Sequence, residues 1–229
     1  MHKYPEVVTE QFDDATFHIK YCLSFIKKYL KKNVLEVGAG CGSFTKIYYK
    51  KKIENITLTE LDNKNLKFLK NKFKKCNNLF ITNKKINKIN KKFDTIIYLH
   101  VLEHIKNDKK EIVKATKRLK KNGYLIFIVP AHPKVYSELD KLVGHYRRYE
   151  IKFFKKKFLA LTLLQLKFLD SMGLILYYLN KIFFRDEKYP SKLKIFIWDK
   201  IFTPLSIIID FITQYRFGKC ILAIYKKSG

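Results

Sequence analysis

The sequence predicts an α/β fold: a doubly wound, mostly parallel sheet of seven strands, with helices on both faces and a helical insertion near the C-terminus. Three observations lead there. Apolar periodicity alternates between strand-like and helix-like segments from residue 16 to residue 130. The strand segments are near-continuously apolar, as strands covered on both faces must be. Three of the eight glycines fall within residues 38 to 42, where a strand gives way to a helix.

Taken in order, Thr16 to Lys31 has helical spacing through Phe17, Tyr21 and Phe25. Asn33 to Val37 reads as a short strand ending at Gly38, and Phe44 to Lys51 restarts a helix. Ile56 to Thr59 is the second strand, Asn63 to Lys74 a helix, and Leu79 to Thr82 the third strand. Phe93 to Leu99 (FDTIIYL) is a buried-type strand. Asp108 is placed to cap a helix running to Lys120, with Gly123 as its stop. Tyr124 to Val129 is the fifth strand, closed by Pro130. Beyond it lies a polar segment, Ala131 to Glu150, with two His, two Arg and three Tyr. Leu163 to Leu169 and Cys220 to Tyr225 supply the last strands, and Met172 to Phe184 and Lys192 to Thr213 are apolar and helical. Thr203-Pro204 reads as an N-cap followed by proline in the first turn. Segments 83 to 92 and 152 to 157 are lysine-rich and expected at the surface.

At 229 residues the chain suits one domain, 1–229, with a core in 1–130 and an acceptor-side portion in 131–229. It carries 48 Lys+Arg against 20 Asp+Glu, a formal net charge of +28. Its 15% aromatic content excludes a disordered basic tail. Only five of the basic residues are Arg, whose planar fork suits phosphate better than Lys does. The excess therefore reads mainly as a lysine-biased background, with an anionic membrane or nucleic acid as the competing explanation. The four scattered cysteines form no CxxC, and no His stands at zinc-ligand spacing from a Cys pair, so no metal is expected. Met1 to Gln11 carries no apolar signal-peptide core, and Phe158 to Phe184 is interrupted by Gln165, Lys167, Asp170 and Asn180. A cytoplasmic protein, soluble or peripherally membrane-associated, is the expectation.

The glycine loop carries the first chemistry. In Val34-Leu35-Glu36-Val37-Gly38-Ala39-Gly40-Cys41-Gly42-Ser43-Phe44, glycines let the backbone approach a ligand closely. Ser43 stands where a dinucleotide loop prefers Gly or Ala, and Glu36 stands where it prefers an apolar residue. A carboxylate there suits a ligand with an ammonium group. Glu60, closing the second strand, is placed to accept both hydroxyls of a ribose.

VLEVGAGCG, Glu60 in ITLTELD, FDTIIYLHVLEHI and a helix ending RLKKNGYLIFIVP resemble the class I S-adenosylmethionine-dependent methyltransferases, a Rossmann-like family, over roughly residues 12 to 130. The resemblance implies S-adenosyl-L-methionine as cofactor. Glu36, Gly38, Ala39, Gly40 and Gly42 would hold its methionine end, Glu60 the ribose and Leu61 the adenine. Leu99, His100 and Asn83 are assigned to the same site, although Asn83 stands where such enzymes often carry Asp.

Four of the six histidines fall between residues 100 and 145. His100 and His104 follow the fourth strand and His132 the fifth, which directs three of them to the ligand-binding rim of a doubly wound sheet. Gly144-His145-Tyr146-Arg147-Arg148-Tyr149 holds the one adjacent Arg pair in a lysine-rich chain, read either as a carboxylate clamp or as recognition of an acidic acceptor. VPAHPKVYSELDKLVGHYRRY and the tail segments LKFLDSMGLILYYLNKIFF, WDKIFTPLSIIID and RFGKCILAIYKK resemble a type 11/12-like subgroup whose members are often associated with glycosyltransferases of surface-glycan or glycolipid assembly. That resemblance fixes the reaction better than the substrate: a small-molecule, glycan or lipid-linked acceptor is expected, and whether O, N or C is methylated stays open, with O preferred. His132, Tyr146, Arg147 and Arg148 are the acceptor candidates, and His104 or His145 the base that removes a hydroxyl proton. Two other readings stay open. A nucleic-acid methyltransferase fits the charge, yet Leu99-His100-Val101-Leu102 lacks the proline and aromatic that stack a flipped base. A non-catalytic membrane-surface protein fits the mixture of Lys with Phe, Ile and Leu in Phe153 to Phe184 and Lys192 to Thr213.

Overall fold

A computed structural model describes residues 14–49, 53–183 and 191–229. The polar Met1 to Gln11 segment, the end of the Phe44 to Lys51 helix and the last residue of the Met172 to Phe184 segment lie outside the described residues. In chain order the elements are α1 (Thr16–Ile26), β1 (Asn33–Val37), α2 (Thr45–Tyr48), β2 (Asn55–Thr59), α3 (Asn63–Lys72), β3 (Leu79–Thr82), β4 (Phe93–Leu99), α4 (Asp108–Arg118) and β5 (Leu119–Pro130). They continue with α5 (Glu138–Leu142), α6 (Ile151–Lys155), β6 (Leu161–Leu169), α7 (Ser171–Phe183), α8 (Lys192–Ile197), α9 (Thr203–Ile212) and β7 (Cys220–Lys227).

The seven strands form one sheet in the order β3-β2-β1-β4-β5-β7-β6. β1 to β5 are mutually parallel, and β7 runs antiparallel between β5 and β6. This is the seven-stranded, mostly parallel, doubly wound sheet that the apolar pattern predicts. Period-two alternation explains the two-sided core. Val34, Ile56, Leu58, Ile97, Ile126 and Leu222 face α1 to α3. Leu35, Val37, Ile96, Tyr98, Phe127 and Tyr225 face α4 and α6. Strand order reverses between β1 and β4, and ligands bind at the carboxyl ends of strands at such a switch point.

Several boundaries differ from expectation for local reasons. α4 stops at Arg118, because Leu119 already pairs with Phe93 and the ladder resumes only at Tyr124 opposite Thr95. Gly123 therefore sits in an irregularity of β5 and does not stop the helix; a Cβ there would lie 3.0 Å from the Asp94 carbonyl. The cap of α4 is Asn107, with Asp108 in its first turn. Thr203 does not start a new helix. Trp198–Phe202 forms a π-helical turn that joins α8 to α9 without leaving helical conformation, and no side-chain hydrogen bond caps α9. The 83 to 92 and 152 to 157 segments expose their lysines but bury Ile86, Ile89 and Phe154 as anchors.

Three buried aspartates fasten the C-terminal helices: Asp210 and Asp199 tie them to α1, and Asp170 ties them to one another. Asp210 accepts from the Tyr21 hydroxyl at 2.6 Å and from the Asp170 and Ser171 amides at 2.8 and 3.0 Å. Asp199 accepts from the His18 amide at 2.9 Å, and Asp170 from the Trp198 indole at 3.1 Å and the Ser206 hydroxyl at 3.0 Å. Each carboxylate is solvated by protein donors, as a buried charge requires. The consequence is that α1 and His18 are held over the carboxyl end of β4.

Candidate active site

The glycine loop is built from residues that leave β1 in the left-handed region. Gly38, Gly40 and Gly42 have φ of +67°, +55° and +75°, which L side chains rarely adopt. A Cβ on Gly38 would meet Val101 at 2.9 Å, and one on Gly42 would meet Phe73 at 2.7 Å. Around a Cβ on Gly40 there is nothing within 4 Å. Two of these glycines thus let the loop pack, while the third faces open space.

Glu60 joins the loop to β2. Its Oε2 accepts from the Gly40 amide at 2.8 Å and its Oε1 from the Asp62 amide at 2.8 Å. A carboxylate has about four acceptor positions, so both oxygens retain capacity for ligand hydroxyls. Beyond it Leu61 and Asn83 are exposed. Leu99 is buried at the end of β4.

Glu36 lies buried beneath the loop, with Oε2 accepting from the Thr45 and Tyr48 hydroxyls at 2.6 and 2.5 Å. Burial pushes its carboxyl up to about 7, against the opposing pull of those two hydroxyls. Below about pH 4.5 folded and unfolded states both hold this proton. Between there and 7 only the folded state keeps it, so stability falls as pH rises and levels off above the folded value. Urea unfolding at pH 5 and pH 8 should show Glu36→Gln losing about 3 kcal/mol less across that interval than the unaltered protein. An equal pH slope in both proteins would contradict the burial argument.

The histidines gather on the other side of Val101. His100 has φ +57°, an uncommon backbone for a residue with a side chain, fixed by its amide bonding to the Ile128 carbonyl at 2.8 Å. Its ring lies 6.5 Å from Phe44 of the glycine loop and 6.3 Å from His18 of α1. Glu103 is fully buried, and neither of its carboxylate oxygens has a hydrogen-bond partner. Its Oε1 lies 3.9 Å from His100 Nδ1 and 3.9 Å from His145 Nε2, and burial pushes its carboxyl up to about 8. His104 packs edge-on against His145, ring centroids 4.5 Å apart. Burial, with lesser repulsion from His145 among the neighbouring charges, lowers the His104 imidazole to about 3. Burial lowers His100 likewise to about 3.

A loop from residue 137 to residue 149 closes over this cluster. Ser137 and Asp140 form a reciprocal capping box at the start of α5. Asp140, buried, also accepts from His145 Nδ1 at 2.7 Å and from Arg148 Nε at 2.9 Å. Burial works against its charge, but the His145 hydrogen bond and the Arg148 cation hold it down to about 2. His104 Nδ1 donates to the Gly144 carbonyl at 3.2 Å, and the Tyr146 amide donates to the Glu103 carbonyl at 2.9 Å.

The acceptor candidates divide. Arg148 is buried on Asp140, which makes it a clamp for the loop. Arg147 reaches Asp108 at 2.7 Å and the Lys106 carbonyl at 2.7 Å. Tyr146 is exposed, whereas His132 turns away to the Gly218 carbonyl at 2.9 Å and stacks on Phe168. Two participants escaped sequence reasoning. The Ser137-x-x-Asp140 capping signature could have found Asp140; nothing local marks His18.

A family profile described as a methyltransferase domain matches residues 16–166, which contain the glycine loop, Glu60 and the whole histidine cluster. The chain belongs to the methyltransferase-domain family. No curated protein sequence matches it. Among solved structures, this methyltransferase domain is similar to a methyltransferase in complex with the Haloferax volcanii Trm112 activator, at 12% identity, 96% and 94% of the two chains covered, and TM-score 0.67. It is also similar to the N-methyltransferase NodS from Bradyrhizobium japonicum WM9, solved with S-adenosyl-L-homocysteine, at 15% identity, 96% and 91% coverage, and TM-score 0.62. Coclaurine N-methyltransferase, bound to N-methylheliamine and S-adenosyl-L-homocysteine, matches at 14% identity, 93% and 72% coverage, and TM-score 0.62. At these identities the likenesses establish the shared fold.

Proposed function

We propose that the protein methylates an oxygen of a small-molecule, glycan or lipid-linked acceptor, with S-adenosyl-L-methionine as methyl donor. The observation that carries the reading is the junction of two structures at Val101: an open-faced glycine loop on one side and a buried carboxylate–imidazole cluster on the other. The residues fit the cofactor. Gly40 leaves space where a side chain would intrude, Glu60 offers acceptor positions for ribose hydroxyls, and exposed Leu61 offers an apolar surface to adenine. Glu36, with Ala39 and the neighbouring glycines, supports the methionine end, while Asn83, Leu99 and His100 complete the wall. When bound, the cofactor supplies an electrophilic sulfonium methyl group.

What remains for the protein is to align an acceptor lone pair with that methyl and to remove the acceptor's proton. The cluster of Glu103, His104 and His145 stands beside the loop to do this. His145 is the better-placed imidazole, because Asp140 orients its Nδ1–H and turns Nε2 toward Glu103. Residues 1–130 then form the cofactor half of a single domain, and 131–229 the acceptor half, with Tyr146 the most accessible contact and Arg147, Arg148 and His132 shaping the loop around it. The GHxRRY segment is the mark of the type 11/12-like subgroup in this reading. Incubation with methyl-labelled S-adenosylmethionine and matched panels of hydroxyl-bearing glycans, glycolipids and amines should place the label on hydroxyl oxygen; labelled amines alone would overturn the oxygen assignment.

The helices α8 and α9 favour a peripheral membrane position for this enzyme. Phe196, Ile208, Phe211 and Ile212 are all more than half exposed, and α8 itself also carries Lys192 and Lys194. An apolar face flanked by lysines in a chain of net charge +28 suits an anionic lipid surface. Among the described residues no helix is long and apolar enough to cross a membrane. The protein should float with anionic vesicles at physiological salt, and Phe211→Ser with Ile212→Ser should reduce the bound fraction at least threefold. Equal recovery with neutral vesicles, or none with anionic ones, would remove the membrane position.

A further inference from the structure

We infer that Glu103, His104 and His145 form a binding site for one divalent first-row transition-metal ion. The inference rests on the methyltransferase reading only for its meaning, since metal binding can be measured by itself. Each of the three residues offers a ligand atom, and these atoms lie within 4.8 Å of one another. Tetrahedral bonding at about 2.1 Å places ligand atoms about 3.4 Å apart, so closure onto an ion needs side-chain shifts of about 1 Å.

Proximity alone would not suffice, and three independent features make this a built site. First, Glu103 is fully buried, and both its carboxylate oxygens lack hydrogen-bond partners. Leaving such a group unmatched is costly in a folded protein, and a bound ion is one of the few things that explains it. Second, both imidazoles carry the orienting contact that metal-ligating histidines show. His145 Nδ1–H donates to the Asp140 carboxylate at 2.7 Å, and His104 Nδ1–H donates to the Gly144 carbonyl at 3.2 Å. In each ring this fixes the tautomer whose Nε2 bears the lone pair. Third, the orienting carboxylate is itself immobilised, by Arg148 Nε at 2.9 Å and by the Ser137 amide and hydroxyl at 2.9 Å. A carboxylate braced in this way holds the imidazole orientation that metal ligation through Nε2 requires.

Two imidazole nitrogens and one carboxylate oxygen favour Zn²⁺, Fe²⁺, Co²⁺ or Mn²⁺ over Mg²⁺ or Ca²⁺, which prefer all-oxygen sites. His100, with Nδ1 3.9 Å from Glu103 Oε1, is the nearest further imidazole. With three protein ligands, the ion keeps an open position. An acceptor hydroxyl taken up at that position would be acidified by the ion and release its proton to solvent. With the ion bound, His145 Nε2 is a ligand, and the ion takes over the proton-removing role proposed above for that imidazole.

A second group, His18, His100 and Cys220, also has its ligand atoms within 4.8 Å. It supplies the internal control. The test is titration of metal-stripped protein with Zn²⁺ by calorimetry and with Co²⁺ by visible absorption. The expected result is one ion per chain at micromolar affinity or tighter, a raised Tm with Zn²⁺, and cobalt spectra without a thiolate charge-transfer band. Glu103→Gln and His145→Gln should each weaken binding at least 100-fold and abolish the rise in Tm, while Cys220→Ser leaves both unchanged. Circular dichroism of the variants separates lost ligation from lost folding, and two variants guard against one failing to fold. Overturning results are no binding tighter than millimolar, affinity unchanged in both variants, or affinity lost in Cys220→Ser alone. Gly40→Arg should bind Zn²⁺ normally while losing the methyl donor, so failure of the metal site and failure of the methyltransferase reading give different patterns.

Discussion

Gly40→Arg should abolish binding of S-adenosylmethionine, by at least 100-fold, while leaving a folded protein. The two halves of this expectation have separate causes. A Cβ at Gly40 meets nothing within 4 Å, so the new side chain displaces no protein atom and instead fills the space assigned to the cofactor. The backbone there has φ +55°, which an L residue adopts at a cost of about 1–2 kcal/mol, equivalent to a Tm loss of about 2–8 °C in a domain of this size. The Gly40 amide still donates to Glu60. Gly42→Ala is the contrasting variant. Its Cβ would lie 2.7 Å from Phe73 and 2.9 Å from Leu69, so it should destabilise by about 1–3 kcal/mol or more through overpacking. Thermal melts beside calorimetric titration distinguish the two. Tight binding by folded Gly40→Arg would place the cofactor elsewhere.

Asp140→Ala should cost about 3–5 kcal/mol of stability, because it leaves the buried Arg148 cation without its counter-charge. The same carboxylate orients His145 and caps α5, so the 137 to 149 loop should loosen as a unit. Asp140→Asn combined with Arg148→Met removes both charges together and should recover most of the loss, since a buried pair replaced by neutral groups of similar volume is often near neutral. Acid behaviour follows from the same contacts. The Asp140 carboxyl is held at about 2, so its stabilisation is present above the ordinary carboxylate range and is lost as pH falls through that value. Urea denaturation of the three proteins at pH 7 measures the effect; a loss below about 1 kcal/mol in Asp140→Ala would show the pair to be dispensable.

The sheet was legible in the sequence because its physics is local. Ile96 to Leu99 and Leu125 to Val129 are apolar at successive positions, and a strand buried on both faces uses such a run. The glycine loop was legible for a similar reason: three glycines in five residues are needed only where the backbone turns left-handed or must be closely approached. Helix ends were less legible. Gly123 carries the composition of a helix stop, but strand pairing of Leu119 with Phe93 ends the helix earlier. Thr203-Pro204 carries the composition of a helix start, yet packing of Trp198 and Ser206 around Asp170 keeps the helix continuous. The candidate site was visible in part. His100, His104 and His145 drew attention as scarce residues, but what separates their roles is tertiary. His18 reaches His100 from 82 positions away in sequence, and Asp140 acquires its charge partners only when α5 folds against the cluster. Arg147 and Arg148 show the converse: the fork geometry that singled them out serves Asp108 and Asp140.

The measurement that bears most directly on the account is calorimetric titration of the folded protein with S-adenosylmethionine and with its demethylated product. Binding of both, one per chain and in the micromolar range, near −8 kcal/mol, is the predicted result. Well-folded protein that evolves no heat with either compound would contradict it.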